Sequence, residues 1–178
     1  MILTKEQIEN IGNWEPFDID WSISRNLSSE YDNINERYGE ILKHLLDNTL
    51  FSCTQTQDGG LSNYLEFVCC KKGAKGNNLP AMILLLNLCA PIATYGESNI
   101  SNIHGGIGLN YPSADKLGYV NTQELYLIEE EIQNILRTNH IMILDCNDLD
   151  KDIPYGLTIK ENLIEGNRLF NYLFQWID

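Results

Sequence analysis

Positive charge is scarce in this chain. Twelve lysines and arginines stand against twenty-five aspartates and glutamates, a formal net charge of −13 over 178 residues. Such a field repels phosphate backbones and anionic membrane surfaces over most orientations, so neither nucleic acid nor membrane is expected as a partner. Acidity on this scale serves solubility, or it serves a partner with a basic surface, because complementary potential speeds encounter and sets orientation.

Long apolar runs are missing too. The longest, Ala81 to Tyr95 (AMILLLNLCAPIATY), is interrupted by Asn87 and Pro91 and falls short of the ~20 residues that span a bilayer. It belongs in a core. The opening MILTKEQIEN has no basic region followed by an apolar stretch, so no signal peptide is read there and a cytoplasmic location is expected.

Histidine is limited to His44, His104 and His140, with no pair at metal-ligand spacing and no C-x-x-C. Five cysteines, Cys53, Cys69, Cys70, Cys89 and Cys146, are an odd number set mostly within apolar runs. They read as buried, reduced thiols rather than a disulfide framework. In a strand, adjacent Cys69 and Cys70 point to opposite faces, so they neither pair nor share a metal. No metal or other cofactor is expected.

The composition is otherwise that of a folded protein, 43% hydrophobic and 21% charged, and its length suits one globular domain over 1–178. From Leu27 to Leu46 apolar residues recur every three or four positions along one stripe, marking an amphipathic helix that Ser28 or Ser29 would cap. A second helix is expected from Asn121, read as a cap with Glu124 three residues on. Leu125, Ile128, Ile132, Ile135 and Leu136 form its buried stripe and Glu129, Glu130 and Glu131 lie mostly opposite. A short helix opens near TKEQIENIG, and the tail from Arg168 to Ile177 leans to helix, although alternation also fits a strand.

Between the helices, NYLEFVCC, the 81–95 run, IGLNY at 107–111 and IMIL at 141–144 read as strands. The expected fold is therefore α+β, a mostly antiparallel sheet packed against two or three amphipathic helices.

Motifs for catalysis are incomplete. His104-Gly105-Gly106 resembles an oxyanion-hole loop, but the nearest nucleophile turn, Gly96-Glu97-Ser98-Asn99-Ile100, lacks the second glycine and precedes no helical pattern. HGGIGLNY is accordingly read as a turn and a strand. KKGAKGNN at 71–78 lacks the spacing of a phosphate cradle. In DCNDLDKD, 145–152, carboxylates alternate as in a calcium loop, but Ile153 stands at the sharp-turn glycine and Ile159 at the bidentate glutamate, so it is read as a solvated acidic loop.

In general organisation, with YGEILKHLLDN in a helix followed by NYLEFVCCKKG and ILLLNLCAPIATYG, the chain resembles the small immunity proteins of bacterial polymorphic-toxin systems. The resemblance rests on no specific motif and carries no functional residue across. It implies inhibition by binding a cognate toxin and covering its active-site surface, which for toxins acting on nucleic acid is basic. The acidic residues assigned to such a surface are Glu15, Asp18, Asp20, Glu129, Glu130, Glu131, Asp145, Asp148, Asp150 and Asp152, with Trp14 and Trp21 as apolar anchors. Two alternatives stay open. One is a cysteine-dependent hydrolase or transferase using His104 or His140, the other a non-catalytic subunit of a stable complex. A homodimer through Leu169 to Ile177 is compatible with each.

Overall fold

The structure is a computed structural model that describes residues 3–17, 27–57, 62–103, 106–158 and 166–175. Helix α1 (Lys5–Gly12) and helix α2 (Leu27–Leu46) precede five strands, β1 (Phe51–Gln57), β2 (Tyr64–Lys71), β3 (Leu79–Asn87), β4 (Ile92–Ile103) and β5 (Gly106–Leu109). Short 3-10 turns at Ala114–Lys116 and Gln123–Leu125 lead to helix α3 (Tyr126–Thr138). Strand β6 (Met142–Ile143) and helices α4 (Cys146–Leu149) and α5 (Leu169–Leu173) complete the described elements. The fold is α+β, built on a six-stranded, mostly antiparallel sheet.

The sheet runs β1-β2-β3-β4-β5 as an antiparallel meander. The long apolar run divides as its proline requires: Pro91 lies in the turn between β3 and β4, where no ladder hydrogen bond is asked of it. The outer edge of β4 is covered piecewise. β6 runs parallel to it at Ile92 and Ala93, Leu117 bridges Gly96, and β5 pairs from Ile100 to Ile103. Three short segments thereby satisfy a long edge that would otherwise expose its backbone groups.

Period-two alternation sorts the sheet's side chains into two cores. Leu65, Phe67, Cys69, Met82, Leu84 and Tyr95 face α2 and α3, joined by Tyr38, Ile41, Leu45, Ile128 and Ile132. On the reverse face Tyr64, Val68, Ile83, Leu85 and Ile92 meet Ile8, Ile11, Leu149, Phe170, Leu173 and Phe174 from α1, α4 and α5. Helices cover both sides, which is why β2 and β3 read as nearly continuous apolar runs instead of alternating ones. Cys69 and Cys70 point to opposite faces as expected.

Helix boundaries show where local reading succeeds and where distant residues take over. α2 spans the expected Leu27–Leu46, and Ser28 and Ser29 lie inside its first turn rather than ahead of it. Asn121 does not cap the second long helix either. A 3-10 turn intervenes, and Glu97 of β4 accepts the backbone N–H of Asn121 at 2.7 Å, that of Thr122 at 3.1 Å, and the Thr122 hydroxyl. A carboxylate 24 residues away in sequence thus fixes the chain that leads toward the helix, while neither the 3-10 turn nor α3 has a side-chain cap. Likewise 145–152 is not a plain loop: Asp145 accepts from the N–H groups of Asn147 (2.8 Å) and Asp148 (3.2 Å) to cap α4, whose Leu149 is fully buried.

The tail is a short helix followed by extended chain at Phe174, and it is fastened by amides. Asn63 and Asn87 both donate to the Leu173 carbonyl, at 3.0 and 2.7 Å, and Gln175 donates to the Gly12 and Tyr172 carbonyls at 2.8 and 2.7 Å. Phe170, Tyr172, Leu173 and Phe174 are buried in the same chain. Trp176 and Ile177, the end of the stretch considered for dimerisation, lie outside the described residues.

Candidate protein-binding surface

The sheet separates the acidic residues singled out from the sequence. Glu129, Glu130 and Glu131 ride on α3, over one face, whereas Asp145, Asp148, Asp150 and Asp152 surround α4 over the other. Trp14 and Glu15, just after α1, belong to the second side. Asp18, Asp20 and Trp21 lie outside the described residues. The described members of the set therefore lie on two sides of the sheet.

Several of the carboxylates are already engaged. Arg168 holds two of them, with Nε 3.1 Å from Asp150 and one terminal nitrogen 2.8 Å from Asp152. Lys151 lies 3.8 Å from Asp148, and Asp145 is the α4 cap. Glu129 accepts a hydrogen bond from the Tyr95 hydroxyl at 2.8 Å, and Gln133 donates to the same hydroxyl. Burial and the neighbouring Glu129 carboxylate together push the Tyr95 phenol well above its ordinary range.

Trp14 is a packing residue. It sits at φ 62°, in the left-handed position that ends α1: its N–H meets the Ile11 carbonyl at 3.0 Å and the Glu15 N–H meets Asn10 at 2.8 Å. Glycine normally fills that position. The indole is partly buried in the second core and its Nε1 donates to Gln175 Oε1 at 3.3 Å. His140 occupies the equivalent place after α3, at φ 59°, with its N–H on Arg137 and the next N–H on Leu136. It is a helix stop, exposed at the surface.

The outer side of α3 carries a further group of exposed side chains. Leu127 is 70% exposed and lies between Glu130 and Glu131 on the same helical face, since residues three and four apart are neighbours. Glu124 from the preceding 3-10 turn and exposed Tyr126 border it. Among the described residues, none pairs with the carboxylates of Glu124, Glu130 or Glu131. Leu127 is thus an exposed apolar side chain beside carboxylates that no described residue pairs.

No protein-family model, curated protein or solved structure matches the chain. Its own geometry is the guide to the remaining groups.

A buried carboxylate marks the opposite face. Glu66, 1% exposed, accepts from the Thr56 hydroxyl at 2.6 Å and from the Tyr111 hydroxyl at 3.0 Å through one oxygen. Burial and the Glu66 charge raise the phenol of Tyr111 well above its usual value. These bonds tie the 109–114 connection across the sheet, a structural use of the group. Near the Arg168 ion pairs a solvent-open cavity of about 340 Å³ is lined by Asp152, Ile153, Leu157, Thr158, Gly166 and Asn167. Among the described residues no three metal-ligating side chains converge, and no helix is long and apolar enough to cross a membrane.

For thiol catalysis a lowered pKa is needed. Cys69 and Cys70 shift the other way: Cys69 is raised by the hydrogen bond it shares with Cys53 and then by burial, Cys70 by burial first and Cys53 second. His104 lies outside the described residues.

Proposed function

We propose that this protein is an acidic inhibitor that binds a basic protein domain through the outer side of α3, in the manner of an immunity protein silencing a cognate toxin. The observation that carries the reading is the Leu127 anchor with its unpaired Glu124, Glu130 and Glu131 rim. Carboxylates in this setting are suited to a groove made for phosphates, which is how an inhibitor of a nucleic-acid-cleaving enzyme competes with its substrate. The overall charge of −13 adds long-range attraction that accelerates encounter.

This places the contact on one helix and leaves Trp14 and the Arg168-bound aspartates to the fold. Calorimetry against the product of the neighbouring open reading frame, at low and high salt, tests the reading. Tight binding that weakens with salt and abolishes a toxic activity supports it. Absence of binding to any neighbouring product overturns its simplest form.

A further inference from the structure

Cys53 and Cys69 are direct partners across β1 and β2, and their sulfurs lie 3.1 Å apart. Directly opposed residues of an antiparallel pair have Cα atoms roughly 4.5–5.5 Å apart, inside the roughly 4.4–6.8 Å that a disulfide bridges. The backbone is thus already placed for a bond that needs only a small sulfur movement, to about 2.05 Å. We propose that Cys53 and Cys69 are a reversible redox pair, closed to a cross-strand disulfide by a small-molecule disulfide of the glutathione class.

Their environments divide the labour. β1 is the terminal strand of the sheet order, its Ser52 and Thr54 are exposed, and Cys53 between them is half-buried. Cys69 is fully buried and donates its S–H toward Cys53. Cys53 therefore meets the co-substrate. Deprotonated, it attacks one sulfur of the small disulfide, forming a mixed disulfide and releasing one thiolate. Cys69 attacks the Cys53 sulfur and the second small thiolate leaves; the protons given up by Cys53 and Cys69 end on the two released thiolates. Two protein thiols are oxidised and one small disulfide is reduced to two thiols. Cys70, one residue away, faces the other core and takes no part. The product fastens the edge strand to β2, closing a loop whose constraint lowers the entropy of the unfolded chain.

The test equilibrates the purified full chain in glutathione buffers of increasing oxidised fraction, blocks free thiols and weighs the protein. Cleavage before Asp58 then separates Cys53 from Cys69, so only a disulfide keeps the fragments joined. The expected result is loss of two of the five thiols, joined fragments in the wild type and in Cys70→Ser, and recovery on reduction. Cys69→Ala should instead accumulate one glutathione on Cys53. Oxidation should raise Tm by about 5–10 °C. Five thiols persisting under oxidising conditions, fragments still joined in Cys69→Ala, or an unchanged Tm after closure would each overturn the inference.

Discussion

Asn63 and Gln175 are joined twice. The Gln175 N–H donates to Asn63 Oδ1 at 2.8 Å, and the Asn63 N–H donates to the Gln175 carbonyl at 3.1 Å. Both residues are buried, so the pair lets a non-strand tail lie against the sheet without stranding backbone groups. Asn63→Ala removes one bond here and those that the side chain donates to the Leu173 and Ile11 carbonyls. It should cost about 2–4 kcal/mol, because buried partners lose their acceptor and donor, as urea unfolding would record.

The hydrogen bonds to Glu97 give a signed pH dependence. Burial raises the Glu97 carboxyl, but the hydrogen bonds from the Thr122 hydroxyl and the N–H groups of Asn121 and Thr122 outweigh it and hold the pKa below the usual value. A depressed folded pKa means the contribution is present above the unfolded value of about 4.3 and is lost as pH falls through the folded one. Glu97→Gln should destabilise by about 1 kcal/mol at neutral pH. That difference should shrink in denaturant titrations below about pH 4.

His140 holds a left-handed backbone with an exposed side chain, a conformation that suits glycine. His140→Gly should raise stability by about 0.5–1 kcal/mol in thermal melts. A loss of stability would show that the imidazole contributes an interaction beyond the helix stop.

Gly118 combines φ 86° with a close approach, for a Cβ there would lie 2.3 Å from Asp145 Cβ and 2.6 Å from its Cα. Its N–H also bonds the Tyr95 carbonyl at 2.7 Å. Gly118→Ala forces this crossing away from the α4 cap, and a loss of about 3 kcal/mol or more is expected in chemical unfolding.

On α3 the core residue Ile132 and the proposed contact at Leu127 lie within a few residues of each other. Ile132 is fully buried, and Ile132→Ala should cost about 2–5 kcal/mol of folding free energy. Leu127→Ala should leave stability within about 0.5 kcal/mol yet weaken partner binding by about 1–2 kcal/mol. Glu130→Lys with Glu131→Lys should slow association most at low salt. Unchanged kinetics in that double variant would remove this face from the proposed function.

Periodicity made α2 and the α3 stripe legible, because a helix buries a local pattern of side chains, as Tyr38, Ile41 and Leu45 of α2 and Ile128, Ile132 and Ile135 of α3 do. The strands of the 81–95 run were legible for a similar reason: apolar density with a proline break admits a sheet and excludes one continuous helix. The acidic character was also legible, being a property of composition alone.

Only the tertiary structure decided which carboxylates are free. Asp150 and Asp152 look available until Arg168 returns beside them, and Glu97 has no local mark that it holds the N–H groups of Asn121 and Thr122. Trp14 resembled an anchor, yet its backbone position and Gln175 make it part of the core boundary. The contact of Cys53 with Cys69 depends on strand register, which places residues sixteen apart in direct opposition. Local pattern determines what a segment can become, since it sets the period and the cost of burial. Which side chains meet depends on how distant segments satisfy one another's backbone groups and charges, and that is settled only when the sheet closes between its two layers of helices.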